Sequence, residues 1–198
     1  MQVDELLPGA WVFTPERHDD DRGFFVEWFR GDVLREATGR TFDLAQANHS
    51  RSRRGVVRGI HFAAVPPGQA KYVYCPEGEI LDVVVDIRVG SPTFGRWESV
   101  VLDPDHRRAV FVAEGIGHGF VVLSEWASLC YVVNAPYTPA REFTVSPVDA
   151  HLAIDWQVPR DELVLSPRDV AAPSLLDAKR SGLLPTWPAC QAWYDSAR

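Results

Sequence analysis

The chain has 198 residues, 20 of them basic and 27 acidic, for a formal net charge of −7. That balance argues against a nucleic-acid or anionic-membrane partner, since both select a basic surface, and no apolar run reaches the roughly 18 residues a membrane span needs. The length fits one domain, residues 1–198, with a core that needs no metal or disulfide staple.

Taken in chain order, the N-terminus MQVDELLPGAW has neither a basic start nor an apolar h-region. A cytoplasmic location is therefore expected. The cysteines Cys75, Cys130 and Cys190 are far apart, match no CxxC spacing and read as reduced thiols. Gly31–Gly39 predicts two helical turns. Short β-branched and aromatic runs follow at Lys71–Cys75, Glu79–Val89, Trp97–Leu102, Ala109–Val112, Gly119–Leu123 and Ser128–Val133. Turn signals separate them at Pro76–Gly78, Gly90–Gly95, Asp103–Asp105 and Gly115–Gly119. The run EILDVVVDIRV is nearly continuous in apolar residues, interrupted by Asp82 and Asp86. Helical signal returns at Ser174–Gly182 and Pro188–Ala197, within a C-terminal extension of about 174–198. Many short, evenly spaced strands predict an all-β fold, a sandwich or barrel of jelly-roll type, with short helices towards each end. No GxGxxG, no GxxxxGK[ST] and no internal repeat occurs.

Charge is unevenly placed. From Leu44 to Pro76 there is no acid, but Arg51, Arg53, Arg54, Arg58 and Lys71 are all present. Such a window is either a solvated basic face or a pocket for an anionic small molecule. His61 lies inside it, three residues after Arg58 and ten before Lys71. In an antiparallel pair joined by the PPG turn, His61 and Lys71 would face each other across a barrel interior. A base and a cation in one dry cavity can remove a proton next to a carbonyl and stabilise the enolate.

A β-barrel with inward histidines can also hold a metal. Metal-binding cupins set two histidines one residue apart with a carboxylate soon after. Here Ala63 occupies the second position, no acid follows until Glu77, and His118 stands alone in its strand. The spacing predicts no metal site.

The segments DDRGFFVEWF, QANHSRSRRGVVRGIHF, PPGQAKYVYC, GEILDVVVDIRVGSPTFGRW, GHGF, CYVVNAPYTP and LSPRDVAAPSLLDA, in that order from about Phe13 to Leu184, closely resemble the dTDP-4-dehydrorhamnose 3,5-epimerases. The resemblance implies a cupin-type double-stranded β-helix, no metal or other cofactor, and a dTDP-linked 4-keto-6-deoxyhexose as substrate. It implies that His61 is the general base, that Asp169 in SPRD is its carboxylate partner, that Lys71 lies near the sugar carbonyl and that Tyr131 returns the proton. By the same resemblance His118 lines the sugar site. Gln46, Asn48 and Arg58 contact sugar and pyrophosphate, Tyr137 stacks on the thymine, and Glu142 and Arg168 touch substrate. Arg22, Phe25 and Glu27 match a stretch that reaches the nucleotide from the neighbouring subunit, so a homodimer is expected.

Three departures stand out. Ala63 follows HF where the family has a glutamine, SPVDA at Ser146–Ala150 replaces a tryptophan–acid pair, and GIGHGF replaces GFAHGF. With the LLP ending at Leu183–Pro185 they resemble the epimerases of antibiotic deoxysugar pathways, some of which invert only C3 or only C5. The competing expectations are a metal-dependent cupin enzyme and a non-catalytic sugar-nucleotide binding module.

Overall fold

The computed structural model describes residues 1–196. Thirteen strands among them form two packed antiparallel sheets and a small hairpin. The strands are β1 (Gln2–Leu7), β2 (Ala10–Thr14), β3 (Arg17–Asp20), β4 (Gly23–Val26), β5 (Gln46–Arg53), β6 (Val57–Ala63), β7 (Lys71–Glu77), β8 (Ile80–Asp86), β9 (Trp97–Leu102), β10 (Ala109–Val112), β11 (Ile116–Val122), β12 (Trp126–Val133) and β13 (Glu142–Thr144). One sheet runs β1-β2-β10-β7-β12-β5 and the other β13-β6-β11-β8-β9, while β3 and β4 pair with each other. Crossing from sheet to sheet between consecutive strands is the jelly-roll connection, as expected for the cupin class.

Hydrophobic burial explains the layering. Val12, Val73, Val110, Ile80, Val84 and Val122 meet between the sheets. A second cluster sets Leu81, Val83, Val85 and Ile60 against Trp156, Leu175 and Ala178 of the C-terminal segment. A third packs Phe13, Tyr72 and Phe111 under Leu34, Cys190 and Tyr194. Strand β8 is therefore covered on both faces and buried throughout. That is why its sequence lacks alternation, each apolar side chain contributing about 1.5–3 kcal/mol of burial. Its two acids are buried because each has a partner: Asp86 pairs with Arg88 at 2.7 Å and Asp82 with His118 at 2.8 Å.

The helices are α1 (Gly31–Thr38), α2 (Pro167–Val170), α3 (Leu175–Arg180) and α4 (Trp187–Ser196). Gly39 ends α1 in the left-handed conformation, with its N–H on the Arg35 carbonyl at 2.8 Å. The expected helix Pro188–Ala197 is α4, and its last residue, Ala197, lies outside the described residues. No helix among the described residues is long and apolar enough to cross a membrane.

Two expectations need correction. The stretch Gly115–Gly119 reads as a turn, but the turn ends at Gly115 (φ +86°), and Ile116–Val122 is the buried strand β11. Its glycines answer close packing, not a reversal: a Cβ on Gly117 would stand 2.6 Å from Ile60 Cγ2, and one on Gly119 3.1 Å from Gly59 Cα. Nor do β6 and β7 form a hairpin around PPG. β6 pairs with β11 and β13, and β7 with β10 and β12. The Pro66–Gly68 connection carries the chain from one sheet to the other.

Candidate active site

The inner faces of the two sheets enclose a cavity of about 160 Å³ lined by Ser50, Arg58, His61, Lys71, His118, Phe120, Leu129 and Tyr131. Phe120 and Leu129 belong to the core between the sheets. The cavity thus begins where apolar side chains give way to polar ones. Larger surface pockets exist, including one of about 370 Å³ around Trp156. Among the described residues the smaller cavity gathers a histidine, a lysine and a tyrosine, which the larger one lacks, so chemistry and not size selects it.

One sheet supplies both histidines. His61 on β6 and His118 on β11 are register partners, so their side chains leave the sheet on the same face. His61 Nε2 meets Asp169 Oδ1 at 2.8 Å. Asp169 is buried at the start of the short helix α2, where Ser166 accepts the Asp169 N–H at 3.1 Å and donates its hydroxyl to Oδ2 at 2.9 Å. The carboxylate is thereby held before it meets the ring. A Nε2–H donated to it leaves Nδ1 of His61 unprotonated. Burial pulls the imidazole below its ordinary value, the Asp169 hydrogen bond pushes it up, and the charge on Lys71 pulls it down; the net shift is downward.

The opposite sheet supplies the cation and the phenol. Lys71 opens β7 and pairs with Val133, and Tyr131 sits two residues earlier on β12 opposite Val73. Both side chains project inward, as Val73 does. Desolvation lowers the Lys71 ammonium below the usual lysine range, against the charges of Glu142 and Asp82. Desolvation raises the Tyr131 phenol, and the nearby Arg58 partly offsets it. The imidazole thus stands on one wall, and the lysine and the phenol stand on the facing one.

Residues at the mouth complete the polar lining. On β5 the burial alternates, so Gln46, Asn48, Ser50 and Ser52 share the inner face. Gln46 Nε2 donates to Asn48 Oδ1 at 2.6 Å, and the Tyr137 N–H donates to Gln46 Oε1 at 3.0 Å. Arg58 donates from Nε and Nη2 to the buried Ser52 hydroxyl at 3.2 and 3.1 Å. Glu142 on β13 is half-buried, and desolvation raises its carboxyl despite the Lys71 charge. Arg168 donates to the Glu142 carbonyl at 2.8 Å.

Of the expected site residues, Arg58, His61, Lys71, His118 and Tyr131 line this cavity; Asp169, Gln46, Asn48, Glu142, Arg168 and the 52%-exposed Tyr137 stand outside its lining, and three more lie on or just after the exposed hairpin. Arg22 lies at the turn of the β3–β4 hairpin with its side chain 89% exposed, Phe25 on β4 is 64% exposed, and Glu27 pairs with Arg30 at the surface. Of the remaining basic window, Arg51 and Arg53 alternate to the outer face of β5. Arg51 lies over Trp126 there, and Arg54 donates to the Leu123 carbonyl. Asp82, Ser50, Ser52 and Ser166 are not among the residues the sequence marks for the site. The acid in the apolar run of β8 was the available signal for Asp82, and the alternation NHSRS that for the serines. Among the described residues no group of three or more His, Cys, Asp or Glu side chains is placed to hold a metal ion.

The family model described as dTDP-4-dehydrorhamnose 3,5-epimerase matches residues 4–177. The chain is 52% identical over 200 residues to a dTDP-4-dehydrorhamnose 3,5-epimerase of Mycolicibacterium smegmatis, covering 100% of this chain and 98% of the relative. It is 55% identical over 186 residues to a dTDP-4-dehydrorhamnose 3-epimerase of Streptomyces niveus, covering 94% and 89%. The crystal structure of NovW, a 4-keto-6-deoxy sugar epimerase from the novobiocin biosynthetic gene cluster of Streptomyces spheroides, superposes with a TM-score of 0.93 at 54% identity over 96% of each chain. With the jelly-roll fold and the paired histidine–aspartate geometry, these matches establish that the chain belongs to the dTDP-4-dehydrorhamnose 3,5-epimerase family.

Proposed function

We propose that this protein is an isomerase that epimerises a dTDP-4-keto-6-deoxyhexose by removing and returning a proton at C3, C5 or both, in the making of an antibiotic deoxysugar. The arrangement of His61–Asp169, Lys71 and Tyr131 around one cavity carries this reading. A C4 ketone acidifies the protons on the neighbouring carbons. Nδ1 of His61 takes one of them, and Asp169 stabilises the imidazolium that results. The Lys71 ammonium neutralises the enolate oxygen. Tyr131, on the other wall, returns a proton to the opposite face, and the centre is inverted.

The mouth residues bind the rest of the substrate. Arg58 meets the diphosphate, Gln46 and Asn48 the sugar and phosphate, Tyr137 the thymine, His118 a sugar hydroxyl, and Glu142 and Arg168 the sugar rim. The exposed hairpin serves a second subunit: in a homodimer, Arg22, Phe25 and Glu27 complete the neighbour's nucleotide site. Their exposure in the single chain supports this reading. The chain works as one catalytic domain, an assignment supported by Tyr194 of α4, which donates to the Glu114 carbonyl on the sheet side.

The test is incubation with dTDP-4-keto-6-deoxyglucose in deuterated water, followed by NMR. Deuterium at C3, C5 or both with inverted configuration is the expected result. Intact dTDP binding without any exchange would leave a binding module instead, and activity that tracks a stoichiometric bound metal would point to a metal-dependent cupin enzyme.

A further inference from the structure

Asp82 is an anomaly in its strand. It interrupts the apolar run of β8, its side chain is 0% exposed, and one of its oxygens is already engaged: Oδ2 lies 2.8 Å from His118 Nε2. The other, Oδ1, is buried with no hydrogen-bond partner in the structure. A buried carboxylate oxygen left unmatched is costly and demands a reason. Hydrophobic packing gives none, since valine or leucine would fill the position, as at Leu81 and Val83 beside it.

Its place in the fold supplies one. β8 pairs with β11, which carries His118 and Phe120 to the cavity wall, and Asp82 is the register partner of Phe120. Asp82 thus projects from the same inner face as Phe120, within the wall that Lys71 faces. The groups acting on Lys71 come from every element around it. Glu142 of β13 and Asp82 of β8 favour its charge, and Arg168 of α2 opposes it. His61 and Arg58 of β6, Tyr131 of β12 and His118 of β11 share the cavity with it. Two arginines, Arg58 and Arg168, stand here with the acids Asp82, Glu142 and Asp169; Glu142 is only half-buried, and Asp169 is engaged by His61. Of the two acids that act on Lys71, Asp82 is the one the solvent cannot screen.

We propose that Asp82 is a positioning residue of the reaction: its buried carboxylate orients His118 through one oxygen and supplies the fixed negative charge that retains the ammonium of Lys71. By accepting from Nε2–H it leaves Nδ1 of His118 as an acceptor. By opposing Arg58 and Arg168 it lets Lys71 meet the enolate as a cation and not as a neutral amine. The inference rests on the epimerase reading for its purpose, but its test needs no turnover.

Lysine occurs at only two positions, Lys71 and Lys179. Protein labelled with 15N-lysine therefore gives two side-chain signals, assigned with the variant Lys179→Arg. In Asp82→Asn, a change of nearly equal volume, the Lys71 ammonium is expected to titrate about one pH unit or more lower than in the wild type, while Lys179 does not move. The alkaline limb of kcat should move down with it, a shift that a purely structural role would not produce. An unmoved Lys71 titration in folded Asp82→Asn overturns the proposal. If Asp82→Asn does not fold, 15N-histidine spectra of the wild type decide: Nε2–H with a bare Nδ1 at His118 is required, and the reverse tautomer overturns it. Loss of epimerase activity in the wild type would leave both NMR results standing and would refute only the reaction assigned above.

Discussion

His61 and His118 are register partners across β6 and β11, and each turns Nε2 to its own buried carboxylate at 2.8 Å. The two dyads share one wall, yet only His61 belongs to a pair whose acid comes from outside the sheets. Asp169 is held by the cap of α2 and not by a strand. Replacing Asp169 by Asn is expected to lower kcat by about 100-fold or more with little change in KM, because the amide cannot stabilise an imidazolium. Replacing Ser166 by Ala should cost less, about tenfold, by loosening the same carboxylate. Steady-state kinetics on the two variants checks the order.

The pH dependence follows from the same groups. His61 must be neutral to accept a proton, and its shift is downward from 6.5. A lowered value keeps the ring neutral to lower pH. The acid limb of kcat/KM should therefore fall below pH 6.5. On the alkaline side Lys71 is lowered from 10.5, so loss of its proton should hold the upper limb below 10.5. An acid limb above 6.5 would show that the base is not a desolvated imidazole.

Arg58 and Arg51 make a controlled comparison within one basic window. Arg58 is fixed by two hydrogen bonds to Ser52 at the cavity, and Arg51 lies on the outer face of β5. Ser52→Ala is expected to weaken dTDP binding about five- to tenfold with kcat held, since Arg58 loses its orientation while keeping its charge. Arg51→Ala should leave binding unchanged and stability within about 0.5 kcal/mol. Calorimetric titration with dTDP measures both.

Much of this was legible in the chain, and the misreadings share a cause. The apolar runs of β9 and β10 coincide with their predicted bounds because packing alone sets them. β5 was hidden: QANHSRSR looks like a charged loop, but its polar inner face lines a cavity and its basic outer face meets solvent. The turn inferred at Gly115–Gly119 is shorter than its glycines suggest, because Gly117 and Gly119 answer close packing within β11. Gly59 shows the same constraint. It has φ +143°, and a Cβ would lie 2.5 Å from Gly119 Cα and 2.9 Å from the His118 carbonyl. Gly59→Ala is thus expected to destabilise the fold by about 2 kcal/mol or more, read by denaturant melts. Residue types and spacing point to His61 and Lys71, and the family resemblance implies Tyr131 and Asp169. The pairing of Asp82 with His118, and of Ser52 with Arg58, depends on strand register, which no local pattern specifies.

The hairpin's role in a second subunit can be read by complementation. A chain with His61→Ala has an intact hairpin, and a chain with Arg22→Ala and Phe25→Ala has an intact cavity. Each alone should be nearly inactive. Random mixing makes half the dimers mixed, each with one complete site, so about a quarter of wild-type activity should return. No recovery from verified mixed dimers would place these residues outside the neighbour's site.

The most direct measurement is solvent-deuterium exchange into dTDP-4-keto-6-deoxyglucose by His61→Ala beside the wild type. With His61 as the proton-abstracting base, the wild type incorporates deuterium next to the ketone and the variant, still folded and still binding dTDP, incorporates none above the uncatalysed rate. Undiminished exchange by His61→Ala would contradict the account at its centre.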